Sequence, residues 1–196
     1  MTASRPTKFV IASMAMFCVF ATVGPANAAQ PNVSNGDRTF AEEMAKNNAA
    51  EAAAAELAQK LTGRGDIRNI AQDVLDERAA TDAQLRAVAS QDGLNLSFQP
   101  NAAALGNLKE LAVLHGVAFD RRFIADAESA LENDLSAAAH EARDGVNPGL
   151  RYIAVNRRPW LLAQQRLLEQ ISNGSTIGAG PEAAPLGWHY QPPPSH

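Results

Sequence analysis

Apolar residues recur at alternating steps of three and four positions along several long segments of this chain. That spacing places them on one face of an α-helix, so it predicts amphipathic helices. No alternation of apolar and polar residues, which would indicate a β-strand, competes with it. Aromatic residues make up only 6% of the chain and alanine is abundant, which favours closely packed helices.

Turn residues divide this pattern into four long helices and one short one. The long helices are predicted from Asp37, as N-cap, to about Leu61, from about Asp66 to Ser90, from about Phe119 to Arg143, and from Pro148 to about Ile171 with a kink at Pro159. A short helix beginning near Ala102 belongs to the connection before Gly116. Because short loops make successive helices antiparallel, we expect an all-α, antiparallel four-helix bundle.

Three of the long helices carry a seam of residues that should face the common interior. In the first helix the seam consists of Phe40, Met44, Asn47, Glu51, Ala54, Ala58 and Leu61. In the second it consists of Ile67, Ala71, Val74, Arg78, Thr81, Leu85 and Val88. In the last it consists of Leu150, Ile153, Arg157, Trp160, Gln164, Leu167 and Ile171.

Polar residues interrupt every seam. Either the core contains a polar layer, or the inward face of the helix lies one residue away from the seam as assigned. Glu51 and Arg78 lie at nearly equal distances from the first turn, and Leu131 and Gln164 at nearly equal distances from the second. One cross-section is therefore predicted to hold a structural polar layer of Glu51, Arg78 and Gln164, with Leu131 beside it. Since a buried charge is costly unless it is paired, we predict that Glu51 and Arg78 hydrogen-bond each other.

The N-terminus has the order of segments that is typical of a secretory signal peptide. Arg5 and Lys8 precede an apolar run from Phe9 to Val23, and the small-residue pattern ending at Ala28 follows. The run is shorter than the roughly 20 residues that span a bilayer, so an uncleaved membrane anchor is the less favoured alternative. We expect cleavage after Ala28 and a periplasmic or secreted protein.

The predicted organisation is a signal peptide (1–28), a polar leader (29–36), a helical domain (37–172) and a disordered tail rich in proline and glycine (173–196). Loss of Arg5 and Lys8 reduces the 17 basic residues to 15 against 21 acidic ones, a formal charge of −6. This acidic balance argues against nucleic acid as a partner. The single cysteine, Cys18, lies in the signal peptide, so the mature chain has no thiol for disulfides or catalysis.

Short stretches along the chain together resemble the exported, ferritin-like four-helix proteins of the family called domain of unknown function 4142. These stretches are Glu51 with Glu56-Leu57-Ala58-Gln59, Ile67-Arg68-Asn69-Ile70-Ala71-Gln72, Ala83-Gln84-Leu85, Gly116-Val117-Ala118-Phe119-Asp120, Phe123-Ile124 and Asn147-Pro148-Gly149-Leu150. Their order and spacing cover roughly Asp37 to Ile171. The resemblance implies an exported helical bundle.

The chain departs from this family in the polar layer. The resemblance places an Asp-His pair of the family on Glu77-Arg78, a second histidine on or beside Leu131, and a third on Gln164. A ferritin-like metal site needs several carboxylates and Glu-x-x-His pairs, whereas an arginine repels a metal ion. We therefore expect no metal and no other cofactor in this layer.

Two functions of different class follow. The favoured one is a non-enzymatic binding or scaffold domain whose partner is an envelope protein or a small ligand. The alternative is a degenerate metal-binding member of a ferritin-like family. An enzyme is not expected, because no nucleophile stands beside a suitably placed base in a recognisable motif.

The signal-peptide prediction gives a direct test. The full-length chain expressed in a Gram-negative host should be recovered from the periplasm with Ala29 as its N-terminal residue, as read by Edman sequencing. Replacement of Ala28 by Asp should leave the precursor uncleaved, because the peptidase accepts only small residues there. Recovery of wild type from the cytoplasm with Met1 intact would contradict the prediction.

Overall fold

The computed structural model describes residues 33–174, and its regular structure in this range is entirely helical. The five helices are α1 (Asn35–Leu61), α2 (Gly65–Asp92), α3 (Ala102–Ala112), α4 (Gly116–Asp144) and α5 (Pro148–Ser172). The predicted all-α class is therefore confirmed. The predicted signal peptide, the first half of the leader and all but the first two residues of the predicted tail lie outside the described residues.

A capping box fixes the start of α1 and corrects the predicted N-cap. The Ser34 hydroxyl accepts a hydrogen bond from the Asp37 amide at 3.1 Å, and the Asp37 carboxylate accepts one from the Ser34 amide at 2.6 Å. Ser34 is thus the N-cap and Asp37 stands three residues into the helix. The prediction that Asp37 caps this helix was wrong, because a serine three residues upstream satisfies its backbone amide first.

The four long helices enclose one interior. Helix α1 packs against α2 and α4, and α5 packs against α4 and α2, while α3 lies against α1 and α4. At one end of the bundle the Thr62 hydroxyl, just after α1, donates to Asp120 near the start of α4 at 2.7 Å. Within residues 33–174 no helix has the length and apolar character needed to cross a membrane.

The predicted seams of α2 and α5 point inward, but the seam of α1 is displaced. In α2 and α5 every seam residue is buried except Val74 and Leu167, which are half-buried. In α1 Asn48 is buried while the predicted Asn47 is only half-buried. The buried residues of α1 are Asp37, Ala41, Met44, Ala45, Asn48, Ala55 and Ala58. Because α1 contacts three neighbouring helices, its buried face is broader than one seam.

The apolar core consists of two clusters. One contains Met44, Leu85 and Leu150 from the half of the bundle where α1 begins. The other contains Phe119 and Leu161, together with residues from the second half of α1. Along α1 and α2, buried polar residues occupy the stretch between the two clusters. The core is therefore interrupted by a polar layer, as the seams indicated.

Asp37 also ties the start of α1 to the turn between α4 and α5. Its carboxylate, fully buried, accepts hydrogen bonds from the backbone amides of Val146 at 2.8 Å and Asn147 at 3.3 Å. The Asn147 side chain in turn donates to Asp92 at the end of α2 at 2.8 Å. Burial by itself raises the pKa of Asp37, but its hydrogen bonds outweigh burial and lower the pKa.

Glu141 is a second buried carboxyl group at this end of the bundle. Only 2% of its surface is exposed, and its Oε1 atom has no hydrogen-bond partner among the described residues. Two effects raise the pKa of Glu141 to about 7: burial is the larger, and the neighbouring Asp37 carboxylate is the smaller. The folded protein therefore keeps a proton on Glu141 that the unfolded chain releases near pH 4.5.

Stability should consequently fall as pH rises through this range. The contribution of Glu141 is complete below about pH 4.5 and lost as pH approaches about 7. We expect the wild type to lose roughly 1–3 kcal/mol of unfolding free energy between pH 5 and pH 8, since one pKa unit corresponds to about 1.4 kcal/mol. Urea titrations of Glu141→Gln should show a flatter profile, whereas Glu132→Gln, at an exposed position of α4, should retain the wild-type slope. Equal slopes in the wild type and Glu141→Gln would contradict this assignment.

Candidate functional site: a buried ion cluster

Arg78 lies at the centre of a charged cluster inside the bundle. Its Nε atom donates to Glu51 Oε2 at 3.1 Å, and its Nη2 atom donates to the same oxygen and, at 3.0 Å, to Asp134 Oδ2. Its Nη1 atom donates to Glu77 Oε2. One guanidinium group thus connects carboxylates from α1, α2 and α4.

Arg157 on α5 completes the cluster. Its Nε atom donates to Glu77 Oε1 at 2.8 Å, and its Nη2 atom donates to Asp134 Oδ2 at 2.7 Å. Glu77 and Asp134 therefore each bridge the two arginines. Because the planar guanidinium offers several donors in a fixed fork, each arginine can hold two or three carboxylates at once. All four long helices supply a charged member of the cluster.

Neutral polar side chains extend the network. Asn48 accepts a hydrogen bond from Arg157 at 3.4 Å and donates one to Asp82 at 2.7 Å. The Thr81 hydroxyl donates to Glu77 Oε1 at 2.8 Å. These bonds satisfy buried groups that would otherwise be costly to remove from water.

The cluster is well shielded from water. Arg78 is 2% exposed and Arg157 is 4% exposed. The Arg78 guanidinium carbon lies 5.3 Å from the centre of the Trp160 ring, a cation–π distance. Charge–charge interactions here are therefore stronger than on the surface, and an unpaired charge would be correspondingly costly.

The carboxylates outnumber the guanidinium groups. Glu51, Glu77 and Asp134 carry three negative charges when ionised, against two positive charges on Arg78 and Arg157. Burial raises the pKa of Asp134 well above its ordinary value, and the negative charge of Glu51 adds to this shift. Burial also raises the pKa of Glu51, although Arg78 opposes that shift. The cluster becomes electrically neutral when one of its carboxyl groups holds a proton.

The arrangement of charges is suited to holding helices together. The guanidinium groups occupy the space between the carboxylates, which in a metal site the cation would occupy. Across residues 33–174, no three histidine, cysteine, aspartate or glutamate side chains are placed so that they could hold a metal ion. The contacts within the cluster are ion pairs that join the four long helices.

The structure brings together two of the three predicted layer residues. Glu51 and Arg78 form the predicted ion pair. Gln164 is buried at 5% exposure, but its Oε1 atom has no hydrogen-bond partner among the described residues and it makes no bond to the cluster. Leu131 is buried in an apolar cluster.

Sequence reasoning missed two acidic members of the cluster. Asp134 lies three residues after Leu131, so the two share a face of α4, and a seam drawn on that helix would have found it. Glu77 precedes Arg78 directly and is buried as well, because the interior face of α2 is two residues wide at this level. Arg157 belongs to the predicted seam of α5, but the sequence alone predicted no ion-pair partner for it.

The comparisons with known proteins identify the family of this chain. The sequence profile of the family described as domain of unknown function (DUF4142) matches residues 22–171. The chain belongs to this family. The resemblance inferred from short motifs is therefore confirmed, and no curated protein matches this DUF4142 chain.

One solved structure shares the fold. It is the crystal structure of a DUF305 fragment from Deinococcus radiodurans, with 13% sequence identity and a TM-score of 0.65. The match covers 74% of the DUF4142 chain and 99% of the fragment. At this identity the likeness concerns the helical fold alone.

The cluster predicts different outcomes for two adjacent arginines of α5. Arg157→Met should destabilise the protein by about 3–5 kcal/mol, because it leaves buried carboxylates without their cation. The loss should be smaller at pH 5 than at pH 8, since Asp134, with its raised pKa, can become neutral by protonation. Arg158→Met, at an exposed position, should change stability by no more than about 0.5 kcal/mol. Similar losses for the two variants in chemical denaturation would refute a structural role for the cluster.

Proposed function

We propose that this protein is an exported, non-enzymatic helical bundle that serves as a binding or scaffold domain in the periplasm. Its partner is an envelope protein or a small ligand rather than nucleic acid. The observation that carries this proposal is the pairing of both buried arginines with carboxylates from the other long helices. The buried charges hold the helices to one another, so binding takes place at the cavities and surfaces around them.

The proposed architecture is an antiparallel, ferritin-like four-helix bundle with α3 as an addition. The short turns at residues 62–64 and 145–147 support antiparallel neighbours. Asp37 and Asn147 support it as well, because they join the start of α1 to the end of α2 and to the turn before α5.

The proposed location depends on the first 28 residues. Two positive charges, an apolar run and an Ala-x-Ala pattern occur there in the order that the secretion machinery recognises. The mature chain would carry a formal charge of −6, counting 15 basic and 21 acidic residues. That charge suits a protein without nucleic-acid partners.

Metal analysis of the mature protein tests the proposal against a metal-binding role. After incubation with iron, copper or zinc salts and dialysis, the protein should retain far less than one equivalent of metal per chain. The physical reason is that Arg78 and Arg157 already pair with the carboxylates, occupy the space between them and would repel a metal cation placed there. Stoichiometric metal that survives dialysis in the wild type and is lost in Glu51→Gln would overturn the proposal in favour of a metal-binding bundle.

A further inference from the structure

A cavity of about 280 Å³ lies beside the ion cluster, between α1, α3 and α4. Its volume is near the lower end of the roughly 300–1,000 Å³ that is typical of small-molecule sites. Most of its wall is apolar: α3 contributes Leu108 and Leu111, α4 contributes Phe123, and α2 contributes Val74. Small alanines of α1 and α4 leave the space open.

Glu51 forms the charged part of the cavity wall. Both hydrogen bonds from Arg78 go to one of its carboxylate oxygens, Oε2. The other oxygen, Oε1, makes no hydrogen bond to any described residue, and 18% of the side chain remains accessible. A ligand in the cavity therefore finds a free acceptor on a carboxylate that the cluster holds in place.

The charges of the wall favour a cation. Besides Glu51, the only charged residue that lines the cavity is Asp126, which pairs with Arg122 at 2.8 Å; no lysine, arginine or histidine lines it. Three ionised carboxylates of the cluster face two guanidinium groups, which leaves one negative charge without a balancing cation. A positive group at Glu51 Oε1 would supply the balance that a proton on one of the carboxyl groups otherwise supplies.

We propose that this cavity binds a small amphiphilic cation, an apolar body with one primary ammonium group that donates to Glu51 Oε1. The apolar body lies among Leu108, Leu111 and Phe123, and the ammonium group reaches the ion cluster. An anionic amphiphile is repelled by the carboxylates, and a neutral one forms no ion pair with Glu51. This inference rests on the proposed binding function and names the class of ligand.

The test uses n-hexylamine and its neutral counterpart n-hexanol as probes of the mature protein. Binding is followed by methyl NMR of Val74, Leu108 and Leu111 and by calorimetry at neutral pH. The amine should bind roughly 10- to 100-fold more tightly than the alcohol, as expected for a charge-assisted hydrogen bond in a shielded site.

Two variants locate the site and one serves as a control. Glu51→Gln should remove the preference for the amine over the alcohol. Ala130→Leu, which fills the cavity and leaves the cluster intact, should abolish binding of both probes. Glu56→Gln, at an exposed position on the same helix as Glu51, should bind like the wild type. Circular dichroism and thermal melting confirm that each variant is folded before it is titrated.

The outcomes separate this inference from the broader function. Equal affinity for amine and alcohol in the wild type would overturn the cationic ligand class, while the binding role would stand. No binding of either probe, or binding to Ala130→Leu as tight as to the wild type, would overturn the cavity as the site. Stoichiometric metal that stays bound after dialysis would instead overturn the non-metal function. The relative affinity for amine and alcohol would still decide the ligand class of the cavity.

Discussion

Two guanidinium groups enclosed in a helical interior constrain everything around them. Arg78 and Arg157 must find anionic partners on other helices, and the Asp134 carboxylate on α4 serves both. A slip of any long helix by one turn, about 5.4 Å, would separate charges that are largely shielded from water. Apolar packing alone tolerates such shifts more readily. The ion cluster therefore fixes the register of the four long helices, at the expense of a fully apolar core.

The same constraint explains the excess of acid in the interior. Two arginines that lie side by side repel each other, so a carboxylate must stand between them and others must stand outside. Glu77 and Asp134 bridge the arginines, and Glu51 pairs with Arg78 alone. This geometry uses three carboxylates for two cations. The remaining charge must be balanced by a proton or by a cation. Glu51 borders the apolar cavity beside α3, whereas Asp134 and Arg157 line a separate cavity.

Buried carboxyl groups have a different role at the end of the bundle where α1 begins. At the α1 end, backbone amides of the α4–α5 turn would be left without partners if the Asp37 carboxylate did not accept from them. A second carboxyl group, that of Glu141, is buried beside this anion, which favours the protonated form of Glu141. The interior thus contains charge paired by arginine in the middle of the helices and charge suppressed by protonation at their end.

The sequence by itself determined the helical class, the helix boundaries to within a few residues and the pairing of Glu51 with Arg78. Helical periodicity and distance from a tight turn depend only on the local chain, and both residues lie on one hairpin. Asp134 and Arg157 reach the same cluster from the second hairpin, and no local rule specifies how two hairpins dock. Only the tertiary structure decided that Asn48 rather than Asn47 faces inward and that Gln164 lies outside the network. The rotation of a helix about its axis is set by all its neighbours together, so these choices emerge only when the four long helices pack.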